Sequence, residues 1–216
     1  MVESKLYSYP RTPHLPGSPG ATSDDKHASK ETIAQLSSGI ELVTTLKLDG
    51  GNVSCYPDAF HARSIDSGTH PWETYAKRLW TQLRFDIPEG WRLSCESMYA
   101  RRSIAYENLE SPLYIIGIWN ERNTLLSWDD TVEWAKLFNL PTVPPIYRGT
   151  DFKEACTVWH REFDPATNEG FVVRSAGEVS YEEFHLNFAK YVRANHVQTS
   201  ADWRHRDDFA VNTFKQ

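Results

Sequence analysis

The sequence has few cysteines and no long apolar run. Its three cysteines, Cys55, Cys95 and Cys156, stand far apart in a chain of 216 residues. An odd and widely spaced set argues against a disulfide framework or a zinc knuckle, and is typical of reduced thiols in an intracellular protein. The longest apolar run, Leu113 to Ile118, is far shorter than the ~20 residues of a transmembrane helix, and the N-terminus lacks the apolar core of a signal peptide. We therefore expect a cytoplasmic protein that does not contact a membrane.

Histidine clusters and a surplus of positive charge are also absent. The 8 histidines form no H-E-x-x-H or similar arrangement, which argues against a histidine-held metal site. The formal net charge is −6, whereas a large duplex-binding surface is usually basic. A negative total charge does not exclude local basic patches.

What the sequence does contain is enough apolar and aromatic side chains for a core. Hydrophobic residues make up 40% of the chain, including 8 Trp, 10 Tyr and 10 Phe. Predicted helices and strands interleave without a regular βαβ rhythm, which predicts an α+β fold with mostly antiparallel sheets flanked by helices. The patterns predict helices over 29–38, 70–85, 127–138 and 151–161, and strands over 40–47, 53–56, 91–96, 113–119, 169–174 and 188–192.

The first 30 residues differ in composition from the rest. Residues 8–30 are rich in Pro, Gly, Ser and Asp, which is typical of a loop or a wrapping arm. Tyr9 to Leu15 nevertheless mixes aromatic, basic and apolar residues, unlike a pure solvent spacer. We therefore divide the chain into an N-terminal Pro/Gly-rich arm, residues 1–30, and one further domain, residues 31–216.

The most informative stretch is Lys47-Leu48-Asp49-Gly50-Gly51-Asn52. It follows a β-branched apolar run, and because lysine and paired glycines are poor strand residues, Lys47 is predicted where the strand ends and a tight turn begins. A lysine there acts as a nucleophile when it is deprotonated. Its pKa must then fall from about 10.4, through desolvation or a nearby cation. Asp-Gly is also a common turn dipeptide, so an ordinary turn remains open for this stretch alone.

Two later segments carry charged residues on predicted strands. Glu169-Gly170 opens one strand, and a glutamate there can hold a hard cation such as Mg²⁺. Lys190 lies on the last strand, where a cation can stabilise charge that develops on a phosphate. Because strand residues three apart face opposite sides, we expect Lys190 to face a bound phosphate and Arg193 to face elsewhere. An ordinary Glu-Gly turn and an exposed edge-strand lysine remain open.

In this order the segments resemble the motifs of the covalent lysine nucleotidyltransferases, and above all the small one-domain form of the ATP-dependent RNA ligases. The first motif matches K-x-D-G-x-N at Lys47. The segments that resemble the family's other motifs or its ends are 10–15, 94–106, 112–119, 169–174, 189–193, 192–199 and 203–204. The resemblance therefore covers nearly the whole chain.

The resemblance implies a fold, an activity and partners. The fold is a nucleotidyltransferase (ATP-grasp-like ligase adenylation) domain, and we expect no OB-fold domain because the sequence after Arg193 is too short for one. The activity is the joining of 5′-phosphate and 3′-hydroxyl RNA ends through lysyl-AMP and RNA-adenylate intermediates, with ATP and Mg²⁺ or Mn²⁺ as cofactors. RNA ends are the implied partners, an end-healing kinase or phosphatase is left open, and we expect a monomer.

The resemblance also assigns the site residues. Lys47 and Lys190 are the catalytic residues, the first attacking ATP and the second contacting its α-phosphate. Glu169 and Asp49 are assigned to the metal. Glu96 is assigned to the ribose, since a carboxylate can accept from two hydroxyls. The residues assigned to the nucleotide are Leu46, Asp49, Gly50, Asn52, Arg63, Glu96, Ile116, Glu169, Lys190 and Arg193.

The sequence departs from the family pattern in two places. Ile116 stands where relatives place an aromatic residue against adenine, and Gly117 stands where an Asp often follows. An aliphatic side chain can still cover a purine face, without the π contribution. Phe188 replaces the first lysine of the K-x-K form that ends at Lys190, and Arg193 is the candidate second cation.

Two other functions remain open, an adenylyltransferase with another acceptor and an inactive nucleotide-binding module.

Overall fold

The computed structural model describes residues 4–66, 70–194 and 210–215. Most of the tail segment that resembles the RNA ligases, from residue 195 to residue 204, lies outside these residues. The chain forms two compact units. The first unit comprises Met1–Tyr9, Gly50–Thr142 and Thr199–Gln216, and the second comprises Pro10–Asp49 and Val143–Gln198. The division falls inside the lysine motif.

The helices and strands of the described residues are as follows. The helices are α1 (Lys30–Leu36), a 3₁₀ turn (Pro71–Glu73), α2 (Thr74–Leu83), α3 (Trp128–Leu137), α4 (Phe152–Glu162) and α5 (Phe184–Asn187). The strands are β1 (Leu42–Lys47), β2 (Gly51–Cys55), β3 (Phe60–Ala62), β4 (Arg92–Ser97), β5 (Leu113–Trp119), β6 (Thr124–Leu125), β7 (Pro145–Gly149), β8 (Gly170–Ser175), β9 (Val179–Ser180) and β10 (Phe188–Val192).

The second unit contains a four-stranded antiparallel sheet with the order β10-β8-β1-β7. Asp151 directly precedes helix α4, and its side chain accepts from the N–H groups of Lys153 and Glu154 and so caps the helix. The helix packs on one face of the sheet, where Trp159 joins a core cluster with Phe171 and other apolar residues. The opposite face of the sheet, which carries Lys47, is the one that positions the candidate site.

The first unit contains five strands in the order β3-β2-β4-β5-β6, and the pairs along this order are antiparallel. Its core lies on one sheet face, where α2 contributes Trp80 and α3 contributes Ala135. The ladder between β4 and β5 contains a bulge, because Ser94 pairs with Gly117 while Cys95 pairs with Ile115. One residue of β5 is therefore left without an opposite partner.

The predicted α+β class with mostly antiparallel sheets is confirmed. Strands β5 and β10 have the predicted bounds, whereas the predicted helix over 70–85 is divided into the 3₁₀ turn and α2. Strand β2 begins at Gly51, earlier than predicted, because that glycine pairs with Ser97 of β4. The patterns did not predict β3, β6, β7, β9 or α5.

No helix in the described part of the chain is both long enough and apolar enough to cross a membrane.

Candidate active site

Lys47 and Glu169 are in direct contact in the second unit. Lys47 is the last residue of β1, and its Nζ atom lies 2.6 Å from Oε2 of Glu169. Glu169 precedes β8, whose first residue, Gly170, pairs with Lys47. The Glu169 side chain is 7% exposed and that of Lys47 is 26% exposed. The ammonium group therefore balances a carboxylate that would otherwise be buried without a counter-ion.

Gly170 fixes the position of Glu169 through a close backbone approach. Its φ is +156°, and a Cβ atom there would overlap the carbonyl group of Tyr191 on β10. The N–H group of Arg193 donates to the carbonyl oxygen of Glu169 at 3.0 Å. Strand β10 and the residue after it thus hold the backbone at Glu169 and Gly170. The sequence left open an ordinary turn at Glu169-Gly170. In the structure, the glycine allows β8 to pack closely against β10.

Lys190 lies on the same sheet face as Lys47. The register places Thr45, Val172 and Lys190 opposite one another across β1, β8 and β10. Paired residues share a face, and so do residues two apart along one strand. Lys47, two residues after Thr45, therefore shares the face of Lys190. Both cations lie on the face opposite α4.

Three other predicted residues of this unit have different environments. The side chain of Leu46 packs against the core cluster, on the face away from Lys47. Asp49 lies half-buried in the bend after β1. Arg193 is buried directly after β10, and its Nη1 atom donates to the carbonyl oxygen of Ala194 at 3.3 Å. That Arg193 faces away from a nucleotide stays a prediction.

In the first unit, Asn52, Glu96 and Ile116 share the sheet face opposite the core. Asn52 pairs with Glu96, which in turn pairs with Tyr114. Ile116 is the residue that the β5 bulge leaves without a partner, and it is half-exposed between buried neighbours. The bulge allows Ile115 and Ile118 both to enter the core, so Ile116 is turned to the other face.

Asn52 presents a hydrogen-bond acceptor to which none of the described residues donates. Its Oδ1 atom is buried and accepts no hydrogen bond from any described residue, and its Nδ2 atom lies 3.5 Å from the Cys95 carbonyl oxygen. Buried polar atoms are normally satisfied, so this oxygen is suited to a ligand donor. Arg63 is exposed and directly follows β3, whose Ala62 pairs with Val53 beside Asn52.

Gly50 and Gly51 lack a Cβ atom, and other residues occupy the space that it would take. A Cβ atom on Gly50 would lie 2.5 Å from the Ser97 carbonyl oxygen and 2.6 Å from Sδ of Met98. A Cβ atom on Gly51 would lie 2.8 Å from Nη2 of Arg102. Arg102 therefore lies against the motif, although the sequence analysis gave it no role. The available signal was its place in the segment 94–106, which resembles one of the family's motifs.

The acidic residues do not form a metal cage. In residues 4–66, 70–194 and 210–215, no group of three or more His, Cys, Asp and Glu side chains is placed to hold a metal ion. Mg²⁺ usually needs only one or two carboxylates, with water and phosphate oxygens completing its shell. A single buried carboxylate at Glu169 therefore fits a metal ion that binds together with nucleotide phosphates.

Comparison with known proteins identifies relatives of the chain and of its fold. A family model described as RNA ligase matches residues 40–192. Solved structures that resemble this one include an archaeal ATP-dependent RNA ligase, at a TM-score of 0.58 and 15% identity over 87% of this chain and 48% of that chain. A Naegleria gruberi RNA ligase with PPi has a TM-score of 0.57 and 16% identity over 88% of this chain and 61% of that chain.

A putative ATP-dependent DNA ligase from Aquifex aeolicus is also similar, with a TM-score of 0.55 and 19% identity over 87% of this chain and 50% of that chain. No curated protein matches the sequence. The chain spans about half the length of the archaeal and Aquifex proteins. At these identities the likeness is one of fold, and it confirms the predicted nucleotidyltransferase fold.

Proposed function

This chain belongs to the RNA ligase family, and we propose that it is an ATP-dependent RNA ligase that joins 5′-phosphate and 3′-hydroxyl RNA ends. The observation that carries the proposal is the contact between Lys47 and Glu169 on the sheet face that also bears Lys190. Transfer of a nucleotidyl group to lysine needs a nucleophile and cationic groups that stabilise the developing phosphate charge. The second unit provides candidates for each.

In the first step, the lone pair of Lys47 Nζ forms a bond to the α-phosphorus of ATP. The bond from that phosphorus to the pyrophosphate oxygen breaks, and Nζ loses a proton. An ammonium group has no lone pair to donate, so the ion pair with Glu169 must open, or the proton must pass to Oε2, before attack. Among the contacts of Lys47 described above, Oε2 of Glu169, at 2.6 Å from Nζ, is the nearest proton acceptor.

Other residues of the chain hold the nucleotide in this step. Lys190 contacts the α-phosphate and stabilises the charge that develops there. Glu169 and Asp49 would hold Mg²⁺, which when bound neutralises phosphate charge and orients the leaving pyrophosphate. A variant of the Naegleria gruberi RNA ligase has been solved with ATP and Mn, which supports ATP and a divalent metal as cofactors of this chain.

Two further steps complete the proposed reaction. A 5′-phosphate oxygen of RNA attacks the phosphorus of lysyl-AMP, the N–P bond breaks, and Lys47 is regenerated. The 3′-hydroxyl oxygen of the second RNA end then forms a bond to the 5′-phosphorus and loses its proton, and the bond from that phosphorus to the AMP phosphate oxygen breaks, so that AMP leaves and the strand is sealed. We propose RNA ends as the partners because the chain belongs to the RNA ligase family. We also propose that Asn52, Glu96 and Ile116 contact the nucleotide.

The test of the first step is covalent labelling with [α-³²P]ATP and Mg²⁺, followed by denaturing electrophoresis. We expect a labelled wild-type protein and no label on Lys47→Ala. Lys136→Ala, which removes an exposed lysine from α3, should label like the wild type. Glu169→Gln keeps the size but removes the charge, so labelling should fall about 100-fold, whereas Glu178→Gln at an exposed position should not change it.

The test of the later steps is a chase of the labelled protein with 5′-phosphorylated RNA. Transfer of label from protein to RNA supports the ligase. Label that stays on the protein with every RNA would favour an adenylyltransferase with another acceptor. Label on Lys47→Ala, or none on the wild type across a Mg²⁺ and Mn²⁺ titration, would contradict the proposal.

A further inference from the structure

The N-terminal arm pairs with the strand that carries Lys190. The N–H group of Lys190 donates to the Pro13 carbonyl oxygen at 2.9 Å, and the N–H group of Leu15 donates to the Lys190 carbonyl oxygen at 2.7 Å. The N–H group of Gly20 donates to the Val192 carbonyl oxygen at 2.9 Å. The side chain of Leu15 is buried in the core of the second unit. The arm thus extends the sheet beyond β10 in the second unit.

His14 lies between the two arm residues that pair with Lys190. Its ring is 2% exposed, with Nδ1 2.8 Å from Oγ of Ser18 and Nε2 3.6 Å from Oδ1 of Asp25. Burial, together with the charge on Lys190, lowers the pKa of His14 to about 4. The imidazole is therefore neutral at pH 7. The carboxylate that faces Nε2 favours the tautomer with the proton on that atom.

Asp25 lies between His14 and Lys190. Its Oδ2 atom accepts from both the N–H group of Thr22, at 3.1 Å, and the Thr22 hydroxyl, at 2.9 Å. Its Oδ1 atom lies 3.8 Å from Nζ of Lys190. Burial favours the neutral acid, but the hydrogen bonds from Thr22 and the charge on Lys190 keep the pKa of Asp25 below its usual value.

We propose that Asp25 is a positioning residue that holds the Lys190 ammonium group in place for the α-phosphate, and that the His14 ring orients Asp25 from the side of its Nε2 atom; this rests on the proposed function. A lysine side chain loses much conformational freedom when it is fixed. Because the arm already fixes Lys190 in the free protein, the binding of ATP does not have to reduce the conformational entropy of this side chain. A charged His14 would compete with Lys190 for the same oxygen, so a neutral ring suits the arrangement.

The first test measures the rate of adduct formation against ATP concentration. Asp25→Asn keeps the shape and removes the charge, and we expect the KM for ATP to rise about tenfold with less change in the maximal rate. Asp25→Glu should restore part of the loss. Asp24→Asn removes the same charge at the exposed neighbouring position and should behave like the wild type. A loss of adduct amplitude with an unchanged KM would show a merely structural role and overturn the proposal.

The second test separates the two ring nitrogens of His14. An asparagine amide reaches the place of Nδ1 and a glutamine amide reaches the place of Nε2. If the ring acts on Lys190 through Asp25, His14→Gln should keep the KM near the wild-type value and His14→Asn should raise it. The reverse order would show that the bond to Ser18 is what matters, which contradicts the proposal.

The third test needs no activity, so it distinguishes failure of this inference from failure of the proposed function. Nitrogen-15 NMR of the ligand-free full chain should show a neutral His14 with its proton on Nε2 at pH 7. The Nζ resonance of Lys190 should shift in Asp25→Asn and not in Asp24→Asn. A protonated His14 would contradict the proposed network. So would a Lys190 Nζ resonance that does not shift in Asp25→Asn, even if the wild-type protein forms the adduct.

Discussion

At the scale of single residues, the charged groups on one face of the second unit balance one another. Lys47 is paired with Glu169 at 2.6 Å, and Lys190 lies near Asp25 at 3.8 Å. His14 completes the set as a neutral ring, because burial and the neighbouring cations oppose its protonation. Lys47 and Lys190 thus each have a neighbouring carboxylate, and adding a proton at His14 would place a further positive charge beside them.

This balance predicts that acid destabilises the protein through His14. The groups that face the ring are Lys190, Asp25, His27 and Lys47. The folded-state pKa is about 4, whereas an unfolded histidine titrates near 6.5. Between these values the unfolded state binds more protons, so the free energy of unfolding falls as the pH falls from about 6.5 to about 4. We expect a loss of roughly 1–3 kcal/mol from this group.

Urea unfolding at a series of pH values checks this expectation. His14→Gln should flatten the pH dependence between about 6.5 and 4, since the substituted side chain binds no proton. His185→Gln, at an exposed position, serves as the matched control and should leave the slope unchanged. Equal slopes for wild type and His14→Gln would show that His14 does not carry the effect.

The sequence predicted only part of this residue set. Lys47, Glu169 and Lys190 could be assigned because each lies in a short segment with a recognisable local pattern. Neither His14 nor Asp25 was assigned, since their role depends on pairing between the arm and β10, which lie far apart in the chain. Arg102 was missed for the same reason, because its contact with Gly51 is formed only when the chain folds.

At the scale of elements, strands with an apolar pattern were predicted well and irregular ones were not. The bounds of β5 were correct, but its bulge at Ile116 depends on the register with β4 and has no signature in β5 itself. Strand β7 was missed because it begins with Pro145, which is a poor strand residue. The structure tolerates this proline because β7 is at the edge of its sheet.

The close approach of β8 and β10 gives a prediction at this scale. Gly170→Ala would force the new methyl group into the Tyr191 carbonyl, so the strands must separate beside Glu169. We expect a loss of at least about 2 kcal/mol in the free energy of unfolding, or a fall of about 5 °C or more in the thermal midpoint. Gly177→Ala is the matched control, since its Cβ atom would meet only Oγ of Ser175, at 3.8 Å. Similar midpoints for the two variants would contradict the close approach.

At the scale of the whole molecule, long-range contacts divide the chain into two units. The composition suggested an arm over 1–30 and one domain over 31–216, a division that stays a prediction. The contacts group residues into two units, each made of segments that are distant in sequence. The change of unit falls between Asp49 and Gly50, where the local sequence shows only a turn. Such a division depends on long-range contacts, so no local composition shift marks it.

The proposed lysyl-AMP intermediate has a consequence for the stability of the whole chain. A ligand that binds only the folded state raises its stability by about 2.7 kcal/mol at 100 times its Kd, and this gain disappears when the ligand is removed. A covalently held AMP cannot dissociate. Wild-type protein incubated with ATP and Mg²⁺ should therefore keep a thermal midpoint about 5–10 °C higher after gel filtration.

The variants separate covalent from reversible stabilisation. Lys47→Ala should lose the gain on gel filtration, because its nucleotide is bound only reversibly, whereas Lys136→Ala should keep it as the wild type does. Addition of 5′-phosphorylated RNA to the filtered wild-type protein should return the midpoint to its starting value, because AMP then leaves Lys47. A gain that persists in Lys47→Ala would place the adduct on another residue. A gain that RNA does not reverse would show that RNA is not the acceptor.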